Sequence, residues 1–157
     1  MEFREMYPGE VEQVAVLHNK LAYFIQKETN DDYWNFEVLS IEGISNHLRG
    51  FLNDPEKKIY IAKECEKIIG FIAGEIIPCH LPISNIKKVG YISGAFVSDE
   101  YRGKGITKNL ENLISQFFKS CGIEYVELNF MSKNQLARKA WSSLGYKTFR
   151  EQARKKI

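Results

Sequence analysis

Val97-Ser98-Asp99-Glu100-Tyr101-Arg102-Gly103-Lys104-Gly105-Ile106-Thr107 follows a run of strand-forming residues and opens a run of helical spacing. Two glycines two residues apart let the backbone turn tightly and come close to a ligand. The free N–H groups of a first helical turn point into such a turn, and with the helix dipole they make an anion site. Arg102 and Lys104 add positive charge beside it. The stretch reads as a pyrophosphate cradle at a strand-to-helix junction. It lacks the Gly-Lys-Ser/Thr ending of a P-loop and the Gly-x-Gly-x-x-Gly of a dinucleotide fingerprint. A basic turn that only caps a helix is the plain alternative.

Upstream, Lys88 to Val97 is rich in β-branched and aromatic residues and is interrupted by Gly90 and Gly94. Downstream, Leu110, Leu113, Ile114, Phe117 and Phe118 recur at helical spacing, and Gly122 suits the residue after a helix. Ile123 to Phe130 reads as a strand. A strand, a helix and a strand in that order predict a parallel pair with a crossover helix. Before this unit, Lys58 to Cys65 and Ile68 to Ile77 read as two strands with a hairpin turn at Glu64-Cys65-Glu66-Lys67. Pro78 to Lys87 is a loop. Residues 2 to 5 suit a short first strand. Helices fit Gly9 to Glu28 and Ser40 to Asn53, the second capped by Ser40. Asn134 to Leu144 reads as a last helix and Tyr146 to Arg150 as a closing strand. These elements predict an α/β (mixed α+β) fold, a six- or seven-stranded mixed sheet flanked by four helices, within one domain over residues 1–157.

A chain of 157 residues with 44% hydrophobic residues can bury a core without metals or disulfides. The 22 basic and 20 acidic residues leave a formal charge of +2, which argues against a nucleic-acid binder. No stretch approaches the roughly 18 apolar residues of a membrane span. Met1 to Glu5 shows no signal pattern, so a cytoplasmic location is expected. Cys65, Cys79 and Cys121 are odd in number and widely spaced, which predicts free core thiols and no metal site.

Asn134, Ala137, Trp141, Gly145 and Tyr146 form a second pattern about thirty residues after the first. On a helix, positions 134, 137 and 141 share one face. Together the two patterns resemble the GNAT family of N-acetyltransferases. Its first signature, Q/R-x-x-G-x-G/A after a strand, is matched by Arg102 and Gly105, with Thr107 at the last position. Its second, N-x-x-A-x-x-x-Y-x-x-x-G-F/Y, is matched except that Trp141 replaces the tyrosine. The resemblance runs over residues 58 to 150, while the first 57 match in outline.

The resemblance implies an acetyl-coenzyme A-dependent N-acetyltransferase. Lys88 to Val97 and Ile123 to Phe130 become splayed parallel strands with the cofactor between them. Backbone groups of Phe96 and Val97 hold the pantetheine arm, and an N–H near Val97 polarises the thioester. Arg102, Gly103, Lys104, Gly105, Ile106 and Thr107 take the pyrophosphate. Asn134, Ala137 and Trp141 line the arm. The acceptor is a primary amine, on a small molecule or a protein, and the chain is compatible with a homodimer. An ammonium has a pKa of about 10.4, so a group must take its proton. Glu75 and Tyr91 are the candidates. With Trp141 in place of a tyrosine acid, water or Tyr146 is left to protonate the thiolate. Asp31, Asp32, Tyr33 and Trp34 offer acidic and aromatic groups suited to a cationic substrate. The missing tyrosine also leaves open a non-catalytic acetyl-coenzyme A sensor of the same fold, and a domain for another nucleotide is a further alternative.

Overall fold

The computed structural model describes all 157 residues. In chain order the elements are β1 (Glu2–Glu5), α1 (Val11–Thr29), α2 (Ile41–Arg49), β2 (Lys57–Glu64), β3 (Lys67–Pro78), β4 (Lys88–Val97), α3 (Ile106–Ser120), β5 (Val126–Glu127) and α4 (Gln135–Ser143). One sheet runs β1-β2-β3-β4-β5. Its first four strands are antiparallel, and β5 joins β4 in parallel through the α3 crossover. The mixed sheet, the four helices and the parallel pair are as the sequence predicts.

The strand count is not. The sheet has five strands, and Tyr146 to Arg150 forms none. Its apolar residues are engaged elsewhere: Tyr146 packs edge-on against Trp141 and Phe149 leans toward His80. The alternation needed to lie beside β5 is thereby lost. The expected strand Ile123–Phe130 shrinks to Val126–Glu127, because beyond that pair β4 and β5 part. Cys65 and Cys121 are exposed free thiols and Cys79 is half-buried, so the cysteines are not core residues. Cys65 instead takes a positive φ of 52° in the β2–β3 hairpin turn. No helix is long and apolar enough to cross a membrane.

The two faces of β3 divide the core, with the alternation shifted by one at Ile69, an extra residue in the register with β2. Phe71 and Ala73 face α1 and α2, where Val11, Val14, Leu17, Leu48 and Phe96 are buried. Ile69 and Ile72 face α3, against Leu110, Ile114 and Phe118. Each fully buried large aliphatic or aromatic side chain contributes about 1.5–3 kcal/mol relative to exposure. These two clusters fix both helix layers on the sheet.

The entry to α1 carries a buried charge cluster. Arg4 donates two hydrogen bonds to Glu10, at 2.8 and 2.7 Å, and the Tyr7 N–H donates to the same carboxylate at 2.9 Å. The Arg4 bonds above all hold the Glu10 carboxyl down at about 2. Because the folded value lies below the unfolded one of 4.5, the stabilisation is present above pH 4.5 and lost as pH falls through 2. Glu10→Gln should therefore melt below the parent at pH 7. The gap should narrow between pH 4.5 and 2 in melting curves taken across that range.

Candidate active site

The divergence of β4 from β5 has a local cause. Ala73 pairs with Gly94 and Gly74 with Ile92, so Ser93 is an extra residue, a β-bulge. A bulge bends its strand, and β4 turns away from β5 after the Gly90–Val126 and Tyr91–Glu127 pairs. A cleft of about 360 Å³ opens there, between the end of β4, the start of α3, and helices α1 and α4.

The ladder shows which backbone groups face this gap. The Ser98 N–H donates to the Ile69 carbonyl at 2.9 Å. Hydrogen-bonded pairs alternate along an antiparallel ladder, so Phe96 turns its peptide groups to Phe71, while Ala95 and Val97 turn theirs to the gap. The expectation that Phe96 offers backbone groups to the gap is corrected accordingly: its ring lines the cleft, and the gap-facing peptide groups are those of Ala95 and Val97. The Val97 carbonyl already accepts a bond from Arg102 Nε at 3.1 Å, which leaves the Val97 N–H to the gap.

At the start of α3 the turn needs its glycines. Gly103 and Gly105 have φ of 76° and 75°, a left-handed conformation that side chains disfavour. The first bond of the helix runs from the Asn109 N–H to the Gly105 carbonyl at 3.1 Å. The N–H groups of Ile106, Thr107 and Lys108 thus lack intrahelical partners, no side chain caps them, and no acidic residue lies in the first turn. This is an uncapped positive helix end opening into a cleft.

Ten of the eleven residues predicted for the cofactor line this cleft: Phe96, Val97, Arg102, Gly103, Gly105, Ile106, Thr107, Asn134, Ala137 and Trp141. Lys104 does not; its ammonium lies 4.9 Å from the Tyr101 ring centre, and Lys108 lines the cleft instead. Arg102 is a brace. It bonds Val97, pairs with Asp99 at 2.8 Å and lies over the Phe24 and Phe96 rings. Asn134 is buried as the cap of α4, its side-chain oxygen accepting the Ala137 N–H at 3.1 Å. Only its amide NH₂ remains to donate. Leu21, Phe24 and Ala140 also line the cleft and went unremarked as site residues. Ala140 lies one turn from Ala137, a small-residue spacing that the sequence displays.

The remaining predicted residues lie outside the cleft lining. Glu75 and Tyr91 are cross-strand partners on the α1 side of the sheet. Glu75 reaches Lys57 at 3.7 Å. The Tyr91 hydroxyl accepts from Asn129 at 2.9 Å, and burial raises its phenol, so it stays protonated near neutrality. Tyr146 is no free acid: its hydroxyl donates to Glu111 at 2.9 Å, and burial foremost drives its phenol far up. Asp32, Tyr33 and Trp34 form a short 3₁₀ turn after α1, with Asp31 as its cap. Gln26 ties this turn to α1 by donating to the Trp34 and Phe36 carbonyls at 2.8 and 2.9 Å. Sequence reasoning missed His18. Its ring stacks on Phe71, its Nδ1 is buried without a partner, and burial, then His47, lowers its pKa.

Comparison with known proteins places this geometry. No curated protein sequence matches the chain. Among solved structures, the tetramutant of the BH1408 protein from Bacillus halodurans superposes with a TM-score of 0.82 at 20% identity, over 100% of both chains. The aminoglycoside 6′-N-acetyltransferase AAC(6′)-Ig from Acinetobacter haemolyticus gives 0.80 at 16% identity, over 100% of this chain and 99% of that one. AAC(6′)-Iy, bound to the bisubstrate analogue CoA-S-monomethyl-acetylneamine, gives 0.78 at 17%, over 99% and 97%. At these identities the likeness is one of fold. The sequence model of the Acetyltransferase (GNAT) family matches residues 19–146, a span that holds the bulged β4, the glycine cradle and α4, and the chain belongs to that family.

Proposed function

We propose that this chain transfers the acetyl group of acetyl-coenzyme A to a primary amine, a small cationic one, by direct attack of the amine. The observation that carries the reading is the uncapped α3 end, with Gly103 and Gly105 at positive φ, opening into a cleft walled by Ala137 and Trp141. Unpaired N–H groups at a helix start suit a pyrophosphate. The apolar walls suit a pantetheine arm. Bound acetyl-coenzyme A supplies an activated acyl group on a thiol. The aminoglycoside acetyltransferases of the same fold support an amine acceptor.

The chain's own residues then have definite tasks. The gap-facing N–H groups of Ala95 and Val97 hold the arm and polarise the thioester carbonyl. Glu75 takes the proton of the incoming ammonium through water, and the neutral Tyr91 phenol, fixed by Asn129, orients that water. Trp141 offers only an indole N–H, so the thiolate takes its proton from solvent.

The test follows thiol release from acetyl-coenzyme A across a panel of amines. Turnover with cationic amines is expected. Glu75→Gln should lower kcat about tenfold and spare KM, a modest loss because water remains in the path. Tight acetyl-coenzyme A binding with no turnover on any amine would favour the sensor reading.

A further inference from the structure

Beyond α4 the chain has no regular structure, yet it follows a definite course. Phe149 lies 6.0 Å from the His80 ring in the β3–β4 loop. Arg154 then closes on the turn after α1. Its two terminal nitrogens bond the two oxygens of Asp31, one of them at 2.9 Å, and its guanidinium lies 4.3 Å from the Tyr33 ring centre. The tail thus runs from the β3–β4 loop to the turn after α1.

A single exposed ion pair says little. This one combines two-point carboxylate bonding with an aromatic face, the two contacts that together recognise a planar cation. Asp31 is held for that task. The Tyr33 N–H fixes its carboxylate at 3.0 Å, and Gln26 anchors the turn to α1. Phe24, on the cleft wall, lies five residues before the end of α1 at Thr29, roughly 8 Å along the axis. A short alkyl chain spans that distance.

Resting on the reading of the chain as an amine acetyltransferase, we propose that Asp31 and Tyr33 form a subsite for the far cationic end of the acceptor, a guanidinium or ammonium on an alkyl amine. Arg154 of the chain's own tail is its resident competitor. A tethered competitor acts at high effective concentration and weakens the apparent affinity of a free cation by the reciprocal of the fraction of time the subsite is free.

The experiment titrates two probes into the full-length protein by calorimetry: agmatine, with an amine and a guanidinium, and butylamine, with an amine alone. Arg154→Ala should tighten agmatine about tenfold relative to butylamine, as for a subsite free one-tenth of the time. Adding Asp31→Asn should erase that preference; asparagine keeps an oxygen for the Tyr33 N–H, and melting curves check the fold. A ratio unmoved by Arg154→Ala, a preference that survives Asp31→Asn, or no binding of agmatine to Arg154→Ala overturns the subsite. Thiol release is measured separately. A shifted ratio without thiol release leaves the subsite standing and removes the enzyme reading.

Discussion

Gly105→Val should weaken acetyl-coenzyme A binding about 100-fold, while Lys104→Ala should weaken it only a few-fold. A Cβ at position 105 would meet nothing within 4 Å, so the protein itself has room for it. The loss comes from two other sources. At φ 75° a β-branched residue is strained and pulls the turn out of shape. That turn aims the N–H groups of Ile106, Thr107 and Lys108, and the added side chain fills the space through which a phosphate would reach them. Lys104 lies against Tyr101 outside the cleft, and its charge acts at a distance through solvent. Lys108→Ala should therefore cost more than Lys104→Ala, a reversal of what the glycine-flanked lysine suggests. Isothermal titration ranks the three variants once melting curves show each to be folded. Parent-like affinity in Gly105→Val would remove the backbone cradle.

The cradle was legible because its signal is local. Glycine spacing, a strand before it and helical periodicity after it all lie within a few turns of chain. Asn134, Ala137 and Trp141 were legible for the same reason, as one face of one helix. What the sequence hid depends on distant pairings. The bulge at Ser93 exists only as a register difference between β3 and β4. That difference decides whether Phe96 or Ala95 faces the gap. His18 reads as one more position on an amphipathic helix until Phe71 of β3 is laid beneath it. The closing strand failed because Tyr146 and Phe149 found partners in α4 and the β3–β4 loop, contacts that no alternation pattern displays. The Arg154–Asp31 pairing has no local signal, since the two residues lie 123 positions apart.

Gly90 shows how a residue that looked like an interruption of a strand governs the site. Gly90→Ala should destabilise the protein by about 3 kcal/mol, at the upper end for overpacking. A Cβ there would lie 2.6 Å from two atoms of the Phe118 ring, and one at Gly74 would lie 2.8 Å from its tip. The two glycines thus make a flat floor on which α3 seats Phe118, whose side chain is 1% exposed and has nowhere to withdraw. The near part of the ring is what clashes, so a rotamer change alone does not relieve it. Gly90 also donates its N–H to the Tyr125 carbonyl at 2.9 Å, in one of the few bonds that hold β5 to β4. Pushing α3 outward there moves both the strand pair below the cleft and the helix whose amino end forms the cradle. Urea unfolding measures the loss, and Phe118→Leu should recover more than 1 kcal/mol of it as a coupling energy in the double-mutant cycle. Strict additivity of the two substitutions would mean that the glycine serves strand pairing and not the seat of α3.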